Sequence, residues 1–397
     1  MSHTPQKPTL GSVFLSFLQL GCTSFGGPVA HIGFFQTMFV ERKRWIENQD
    51  FANYLALCQF LPGPASSQLG MAIGYHLRGF SGLGAAFVGF TLPSFLLMWL
   101  ASYLVIAGGL LAQSGVLDGL KAVAVAVVAQ ALLGMSKSLC PDKQRMVLSI
   151  AAAILMMIVQ SLWMQLIIIA GGAIYGATFL TSQKAHDTKV VAQTRSQYVA
   201  WTALGIFVFI FVGLTVMRAQ TDSSLWILAD TMYRAGALVF GGGHVVLPML
   251  ETGTVGADLI SKDAFLAGYG VAQAIPGPLF TFGSYLGGTI PTSMGSFLTS
   301  LMATILIFLP GMLLLVGCLP FWQKISGNKS AQSALMGVNA CVVGLLMAAF
   351  FDPVARAGLP DGIHAAIALA AFAALHLGKA PPWLVVAGGA LIGYALL

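Results

Sequence analysis

Two short stretches place proline and glycine inside apolar runs, where neither residue is expected. They are QFLPGP at 59–64 and QAIPGP at 273–278. Proline lacks a backbone N–H and clashes with the preceding turn, so each stretch should end one helix and let another begin. In lipid each backbone group left unpaired costs roughly several kcal/mol, so such a break persists only where protein or a water-filled cavity surrounds it. We therefore expect polar chemistry at both breaks, inside a membrane.

Two further breaks, FGGP at 25–28 and FGGG at 240–243, each lie shortly before one of the first two. Every break precedes a short helical arm. The first N–H groups of such an arm have no partner and its N-terminus carries about half a positive charge, a combination that attracts anions. Four such ends meeting near the middle of the membrane would hold a small oxyanion with few charged side chains. The alternative is that the glycines only let helices pack closely.

Polar side chains near the breaks could add donors to an anion site. Ser66, Ser67 and Thr281 follow the prolines within about one turn. Gln59 and Gln273 occupy equivalent positions before the two Pro-Gly-Pro stretches, so their amides could face a shared ligand.

Arg234 is the most informative charge, because it lies in an apolar segment six residues before Phe240. An arginine inside a membrane is costly and marks a functional site by default. The alternatives are that it pairs with Asp230 one turn earlier, or that it extends its charge to the membrane surface. His31 and His244 each follow a Gly-Gly break and could donate to a ligand or carry protons, although helix packing explains a histidine equally well.

The acidic residues argue against a cation pump. No Asp or Glu falls clearly at mid-membrane, whereas proton and cation pumps usually bury carboxylates along their pathway. The five cysteines are scattered without metal-ligand spacing, and no nucleophile, base and acid stand together. We therefore expect neither an enzyme, nor a cofactor, nor a metal site.

The composition is that of a membrane protein. The 397 residues are 57% hydrophobic and 8% charged, against about 25% charged in soluble domains. The basic residues cluster between apolar spans, which favours cytoplasmic loops over a nucleic-acid surface. This pattern predicts an all-α polytopic membrane protein whose uninterrupted spans lie at about 80–107, 115–135, 146–160, 162–180, 198–217, 293–317, 331–351, 360–377 and 382–397.

The pattern of breaks occurs twice along the chain. The two FGG stretches align, the two Pro-Gly-Pro stretches align, and Leu92-Pro93 aligns with Leu309-Pro310, at offsets of 214 to 217. We therefore divide the chain into an N-terminal half (1–180), a linker with an extra span (181–224) and a C-terminal half (225–397). Interrupted segments in corresponding positions of two halves are typical of transporters and indicate the binding site.

Each interrupted unit is either one long broken span or a re-entrant hairpin. As a single helix, residues 10–40 would extend about 46 Å, longer than the roughly 30 Å hydrocarbon core. If residues 10–40 and 51–77 are hairpins, the basic clusters at 42–44, 137–145 and 184–195 all face one side. That arrangement satisfies the positive-inside rule, whereas a broken span would put 42–44 outside. We expect hairpins, and therefore two halves that are inverted relative to one another.

Taken together, these motifs resemble the chromate ion transporter family. The resemblance rests on TSFGGPVAH at 23–31, FLPGPASSQ at 60–68, FGGGH at 240–244, IPGP at 275–278 and GVNA at 337–340. It covers nearly the whole chain and matches the long, two-half form of the family. Gln19 departs from the pattern, since many members are expected to have an arginine near that position, so Arg234 would act without a symmetric partner.

The resemblance implies export of chromate from the bacterial cytoplasm by a multi-pass protein of the inner membrane, and hence chromate resistance. Some relatives are associated with sulfate, so a transporter of sulfate or another tetrahedral oxyanion is the alternative. A passive anion channel would differ from a transporter in its kinetics and not in its motifs. The expected partners are the oxyanion and the lipid bilayer, without nucleic acid; a homodimer stays open. The residues expected to bind the substrate are Gly26, Gly27, Pro28, His31, Gln59, Pro62, Gly63, Pro64, Ser66, Ser67, Arg234, Gly241, Gly242, Gly243, His244, Gln273, Pro276, Gly277 and Pro278.

Overall fold

The chain is helical throughout the part that the computed structural model describes. That part comprises residues 8–25, 27–106, 114–159, 161–181, 197–240, 246–322 and 328–397. No β-strand occurs in these ranges. The structure therefore confirms the all-α prediction.

The helices follow the expected order of interrupted and uninterrupted segments. The first half contains α1 (Leu10–Thr23), α2 (Gly27–Phe35) with a π-helical continuation (Gln36–Arg42), α3 (Asn48–Phe60), α4 (Ala65–Ile106), α5 (Ser114–Leu139), α6 (Lys143–Ile158) and α7 (Leu162–Phe179). After the linker come α8 (Gln197–Gln220), α9 (Ser224–Leu238), α10 (Val246–Thr254), α11 (Lys262–Ala274), α12 (Phe282–Thr289), α13 (Ser296–Cys318), α14 (Lys329–Ala349), α15 (Gly362–His376) and α16 (Pro382–Leu396).

Several of these helices can cross a bilayer. Five of those in the described ranges are long and apolar enough, namely α4, α5, α8, α13 and α14 with its continuation to Gly358. Four other expected spans, α6, α7, α15 and α16, have only 15 to 18 residues. At 1.5 Å per residue they measure about 22 to 27 Å, somewhat less than the usual hydrocarbon thickness. On α8 the large apolar side chains Trp201, Val208 and Phe209 are exposed on the outside of the fold, as in a helix that contacts lipid.

Helix α4 consists of two helices joined by a tight turn. Its backbone leaves the helical region at Arg78 and Gly79, where Gly79 has a φ of 65°. Gly74 and Gly82 on either side approach so closely that a Cβ on Gly74 would collide with the Gly82 carbonyl. The chain therefore reverses at this turn, so residues 65–77 form an arm of their own before the long span.

The interrupted units of the first half fold as hairpins. Phe17 on α1 packs against Phe35 and Phe39 beyond the break, with ring centroids 5.7 and 4.7 Å apart. In the second unit the Tyr54 hydroxyl lies 3.1 Å from His76 Nδ1. A straight broken span would hold these residues far apart, so the contacts favour the hairpin alternative.

The interrupted units of the second half fold in the same way. Thr231 on α9 donates its hydroxyl to the Gly253 carbonyl on α10 at 3.2 Å. Phe265 on α11 packs edge-to-face on Phe282 of α12, with centroids 5.1 Å apart. All four units thus bring the chain back along itself after the break.

Candidate substrate site

The helix breaks contact each other crosswise between the two halves. Gly63 donates its N–H to the Val239 carbonyl at 2.6 Å, and Gly277 donates its N–H to the Ser24 carbonyl at 2.9 Å. In the alignment of the halves Gly63 corresponds to Gly277, and Ser24 corresponds to Val239. Each Pro-Gly-Pro break is therefore bound to the residue that precedes the Phe-Gly-Gly break of the other half.

The centres of both Pro-Gly-Pro breaks require glycine. The φ angle is 118° at Gly63 and 96° at Gly277, a region that L-residues with a Cβ rarely adopt. A Cβ on Gly63 would lie 3.2 Å from Gly311 Cα, and one on Gly277 would lie 2.9 Å from Ser94 Oγ. The backbone conformation and the close packing therefore both require glycine at positions 63 and 277.

These contacts place the breaks part-way along two long helices. Ser94 lies 14 residues beyond residue 80, where the long span of α4 begins, and Gly311 lies 15 residues beyond Ser296, where α13 begins. At 1.5 Å per residue these distances are about 21 and 22 Å along the helices. Both breaks therefore lie well inside the fold rather than at its surface.

His31 connects the first hairpin to the second. Its Nε2 lies 3.2 Å from the Ser24 carbonyl and its Nδ1 lies 3.3 Å from Ser66 Oγ. Because a carbonyl only accepts, Nε2 carries a hydrogen, and in the neutral ring Nδ1 accepts from the Ser66 hydroxyl. The ring is 1% exposed and packs edge-to-face on Phe90. His31 therefore fixes the arm that follows Pro64 against the break of the first hairpin.

Several buried polar atoms near the breaks have no hydrogen-bond partner among the described residues. They are Ser24 Oγ, Ser67 Oγ, Thr91 Oγ1 and Gln273 Nε2. Ser24, Ser67 and Thr91 are at most 5% exposed. An unpaired buried polar group costs about 1–3 kcal/mol, and native proteins contain few of them. These hydroxyls and this amide therefore have hydrogens available to donate at the breaks.

A cavity of about 170 Å³ lies between the two halves at the breaks. Gly27 borders it from the first hairpin, and Gln273 and Gly277 border it from the fourth. Gln130 of α5 and Pro382 at the start of α16 contribute to the same wall, and the described lining residues include no charged side chain. Pockets for drug-sized ligands usually measure about 300 Å³ or more, so this space suits a small ion.

Arg234 pairs with Asp230, which was one of the alternatives that the sequence left open for it. Its Nη2 donates to Asp230 Oδ1 and to Thr215 Oγ1, both at 2.9 Å. Arg218 Nη1 lies 3.0 Å from the other Asp230 oxygen, and the Arg234 guanidinium lies over the Phe211 ring at 5.1 Å. Asp230 is 2% exposed, so it is a buried carboxylate, but two arginines neutralise it. Substrate contact by Arg234 stays a prediction.

The structure brings together some of the predicted residues and separates others. Gly27, Gln273 and Gly277 meet at the cavity. Gln59, the sequence counterpart of Gln273, is exposed instead. Five predicted residues lie outside the described part of the chain: Gly26, Gly241, Gly242, Gly243 and His244.

Two amides near the breaks received no role in the sequence analysis. Gln68 is fully buried, and its Nε2 donates to the Pro62 carbonyl at 2.9 Å and to the Gly311 carbonyl at 3.1 Å. It thereby ties the second break to α13. Gln130 reaches the cavity from the middle of an apolar helix. An amide within an otherwise apolar span was the signal available for it. Within the described ranges, no group of three or more metal-ligating side chains comes together.

Comparison with known proteins identifies relatives over most of the chain. The sequence matches the family described as chromate transporter over residues 11–177 and 226–394. An uncharacterised transporter of Methanocaldococcus jannaschii is 28% identical, over 86% of this chain and 84% of the relative. Chromate transport proteins of Pseudomonas aeruginosa and Cupriavidus metallidurans are 27% and 29% identical, over 88% and 98% of this chain and 82% and 94% of the relatives. No solved structure matched the chain.

The family match includes both regions that carry the paired breaks, and it covers well over half of the residues. Members of this family are transporters and not enzymes. The long apolar helices agree with an integral membrane protein. On these grounds the chain belongs to the chromate transporter family.

Proposed function

We propose that this protein exports chromate across the bacterial inner membrane and thereby confers chromate resistance. The family match and the two relatives named chromate transport protein support the substrate. The observation that carries the proposal is the crosswise bonding of Gly63 to Val239 and of Gly277 to Ser24. It joins the breaks of the two halves, of which the first and the fourth border a cavity. Several buried polar atoms near these breaks have no partner among the described residues.

Chromate suits this site because its four oxygens only accept hydrogen bonds. Gln273 Nε2 belongs to a residue that borders the cavity, and it has hydrogens to donate and no acceptor among the described residues. The hydroxyls of Ser24 and Ser67 are in the same state near the breaks, although these two serines are buried and do not line the cavity. Helix α2 begins at Gly27 on the cavity wall, so its unpaired N–H groups and its positive end lie at the same space. Such a site can hold a dianion largely through N–H and O–H donors, while contact with Arg234 stays a prediction.

The crosswise bonds also provide a basis for alternating access between two inverted halves. The topology expected from the basic clusters puts the C-terminal end of α5 and the α15–α16 connection on the cytoplasmic side. Leu375 and Pro382 lie at that connection, and Gln130 lies nine residues before the end of α5. All three line the cavity, so we assign the cavity to the cytoplasmic entrance. Release to the other side then requires the two halves to move at the Gly63–Val239 and Gly277–Ser24 contacts.

The membrane potential favours export of a dianion. Moving one charge across 100 mV is worth about 2.3 kcal/mol, so a dianion leaving an inside-negative cell gains roughly 4.6 kcal/mol. Uptake would have to overcome that amount through a coupling ion. The buried carboxylate on α9, Asp230, is paired with Arg218 and Arg234 and is therefore not free to bind a coupling cation, whereas export driven by the potential needs no such group.

Transport of radiolabelled chromate into inside-out membrane vesicles tests the proposal. We expect saturable uptake that increases when the vesicle lumen is made positive, and weaker competition by sulfate than by unlabelled chromate. A rate of chromate uptake that does not change with the imposed potential would contradict export driven by the membrane potential. Stronger inhibition by sulfate than by chromate would contradict the substrate, and unitary currents in planar bilayers would indicate a channel.

A further inference from the structure

Gln130 places an amide on a wall of the cavity that is otherwise apolar. It lies on α5, whose preceding residues from Val116 to Val128 are almost all apolar or small and mostly buried. Its neighbours on the cavity surface, Val127 and Ala131, are apolar as well. A polar side chain inside a membrane-spanning helix is costly, so it usually has a partner or a function.

The amide of Gln130 is held in one orientation by His376, the last residue of α15. His376 Nδ1 lies 2.9 Å from Gln130 Oε1. Because Oε1 carries no hydrogen, Nδ1 is the donor. The imidazole is itself stacked on Phe372, with ring planes 7° apart and centroids 5.4 Å apart. Oε1 is therefore occupied, while the amide nitrogen of Gln130 has no hydrogen-bond partner among the described residues.

We propose that Gln130 binds the transported oxyanion through its amide N–H groups, together with Gln273 from α11, and that His376 is the residue that positions the Gln130 amide. Both amides line the same cavity, and neither nitrogen has a partner within the part of the chain that the structure describes. This inference rests on the proposed function, because it assigns a further binding residue and a specificity to the same site.

The arrangement selects anions that carry no hydrogen. Hydrogen phosphate has the same shape and charge as chromate, but one of its oxygens is a donor and needs an acceptor. On the α5 wall the Gln130 oxygen is turned towards His376, which takes one of its two lone pairs, so an O–H group entering there would face the Gln130 N–H donors first. A fully buried donor without an acceptor would lose roughly 5- to 150-fold in affinity, but Gln130 is half-buried and His376 is exposed, so we expect discrimination near the lower end of that range. The site should therefore prefer chromate and sulfate to hydrogen phosphate.

Chromate transport in inside-out vesicles tests the role of Gln130. We expect Gln130→Ala to raise the KM for chromate at least about tenfold, since it removes a hydrogen bond to a charged ligand. Gln220→Ala, which removes an exposed glutamine at the end of α8, should leave the KM unchanged. If the Gln130→Ala protein does not accumulate in the membrane, Gln130→Met can replace it, because methionine fills a similar volume without the amide. The same rise in the KM for chromate is then expected.

Inhibition by phosphate tests the positioning role of His376. His376→Phe keeps an aromatic ring against Phe372 but removes the donor, so the Gln130 amide can turn its oxygen towards the cavity. We expect phosphate to inhibit chromate transport more strongly in this variant, while His376→Asn, whose amide keeps a donor at the Nδ1 position, resembles the wild type.

Each result has a distinct meaning. An unchanged KM in Gln130→Ala or Gln130→Met overturns the binding role of Gln130 but leaves chromate export intact. Unchanged phosphate inhibition in His376→Phe overturns the positioning role. Wild-type vesicles that fail to take up chromate overturn the proposed function itself.

Discussion

Replacing Gly277 by alanine should destabilise the contact between the fourth and the first hairpin. The φ of 96° at this residue is unfavourable for any side chain with a Cβ. The new Cβ would also lie 2.9 Å from Ser94 Oγ and 3.2 Å from Ser94 Cβ. Both effects act on the conformation in which Gly277 donates to the Ser24 carbonyl.

The expected magnitude follows from these two contributions. A non-glycine residue in a sparsely populated φ region costs about 1–3 kcal/mol. Overpacking by one methyl group adds about 1–3 kcal/mol. A total of about 3 kcal/mol would lower the population of the bonded conformation more than a hundredfold relative to a conformation without the contact. We therefore expect loss of most chromate transport.

The measurement is the initial rate of chromate uptake per amount of protein in the membrane. Gly84→Ala is the matched control, because a Cβ there meets no atom within 4 Å. Adding Ser94→Gly to Gly277→Ala removes the steric contribution and leaves only the backbone strain, so the double variant should recover part of the rate. The residue that aligns with Ser94 in the second half is Gly311, so glycine is compatible with this packing.

Two results would refute this reasoning. Wild-type transport by Gly277→Ala would show that the close contact is unimportant for function. Equal damage from Gly84→Ala and Gly277→Ala would show that the effect comes from helix glycines in general rather than from the break.

Three further predictions follow from other contacts. Asp230→Ala should lower the yield of folded protein, because it leaves two arginines without a carboxylate. Breaking a buried ion pair costs about 3–5 kcal/mol. An unchanged melting temperature would contradict this prediction. Asp230→Asn combined with Arg234→Gln leaves only the partly exposed Arg218 without a carboxylate, so it should restore part of the yield but not chromate uptake; restored uptake would remove Arg234 from the substrate site. Gly337→Val should destabilise the contact between α7 and α14, because a Cβ on Gly337 would collide with the Gly172 carbonyl. Gly171→Ala should not, because a Cβ on Gly171 meets no atom within 4 Å. Equal melting temperatures of the two variants would contradict close helix packing at this contact.

The sequence predicted the breaks well because proline and glycine act locally. Pro62-Gly63-Pro64 and its counterpart end one helix and begin the next whatever surrounds them. The hairpin fold was predicted from segment length and charge placement, and contacts such as Phe17 with Phe35 agree with it. The inverted relation of the halves stays a prediction.

The assembly of the site could not be predicted in the same way. Which break meets which depends on how four hairpins pack, and nothing near Gly63 in the sequence indicates that it binds Val239. The symmetry of the motifs suggested equal roles for Gln59 and Gln273, but only Gln273 reaches the described cavity. Gln130 was missed because it belongs to no break, and its role depends on His376, which lies 246 positions away in the chain.

The position of bound chromate tests the central claim most directly. We expect a cryo-EM map or the anomalous scattering of chromium to place the ion in the cavity bordered by Gly27, Gln273 and Gly277, where the duplicated breaks meet. A chromate ion bound only elsewhere, for example in the separate cavity lined by Glu251 and Asp352, would contradict the account.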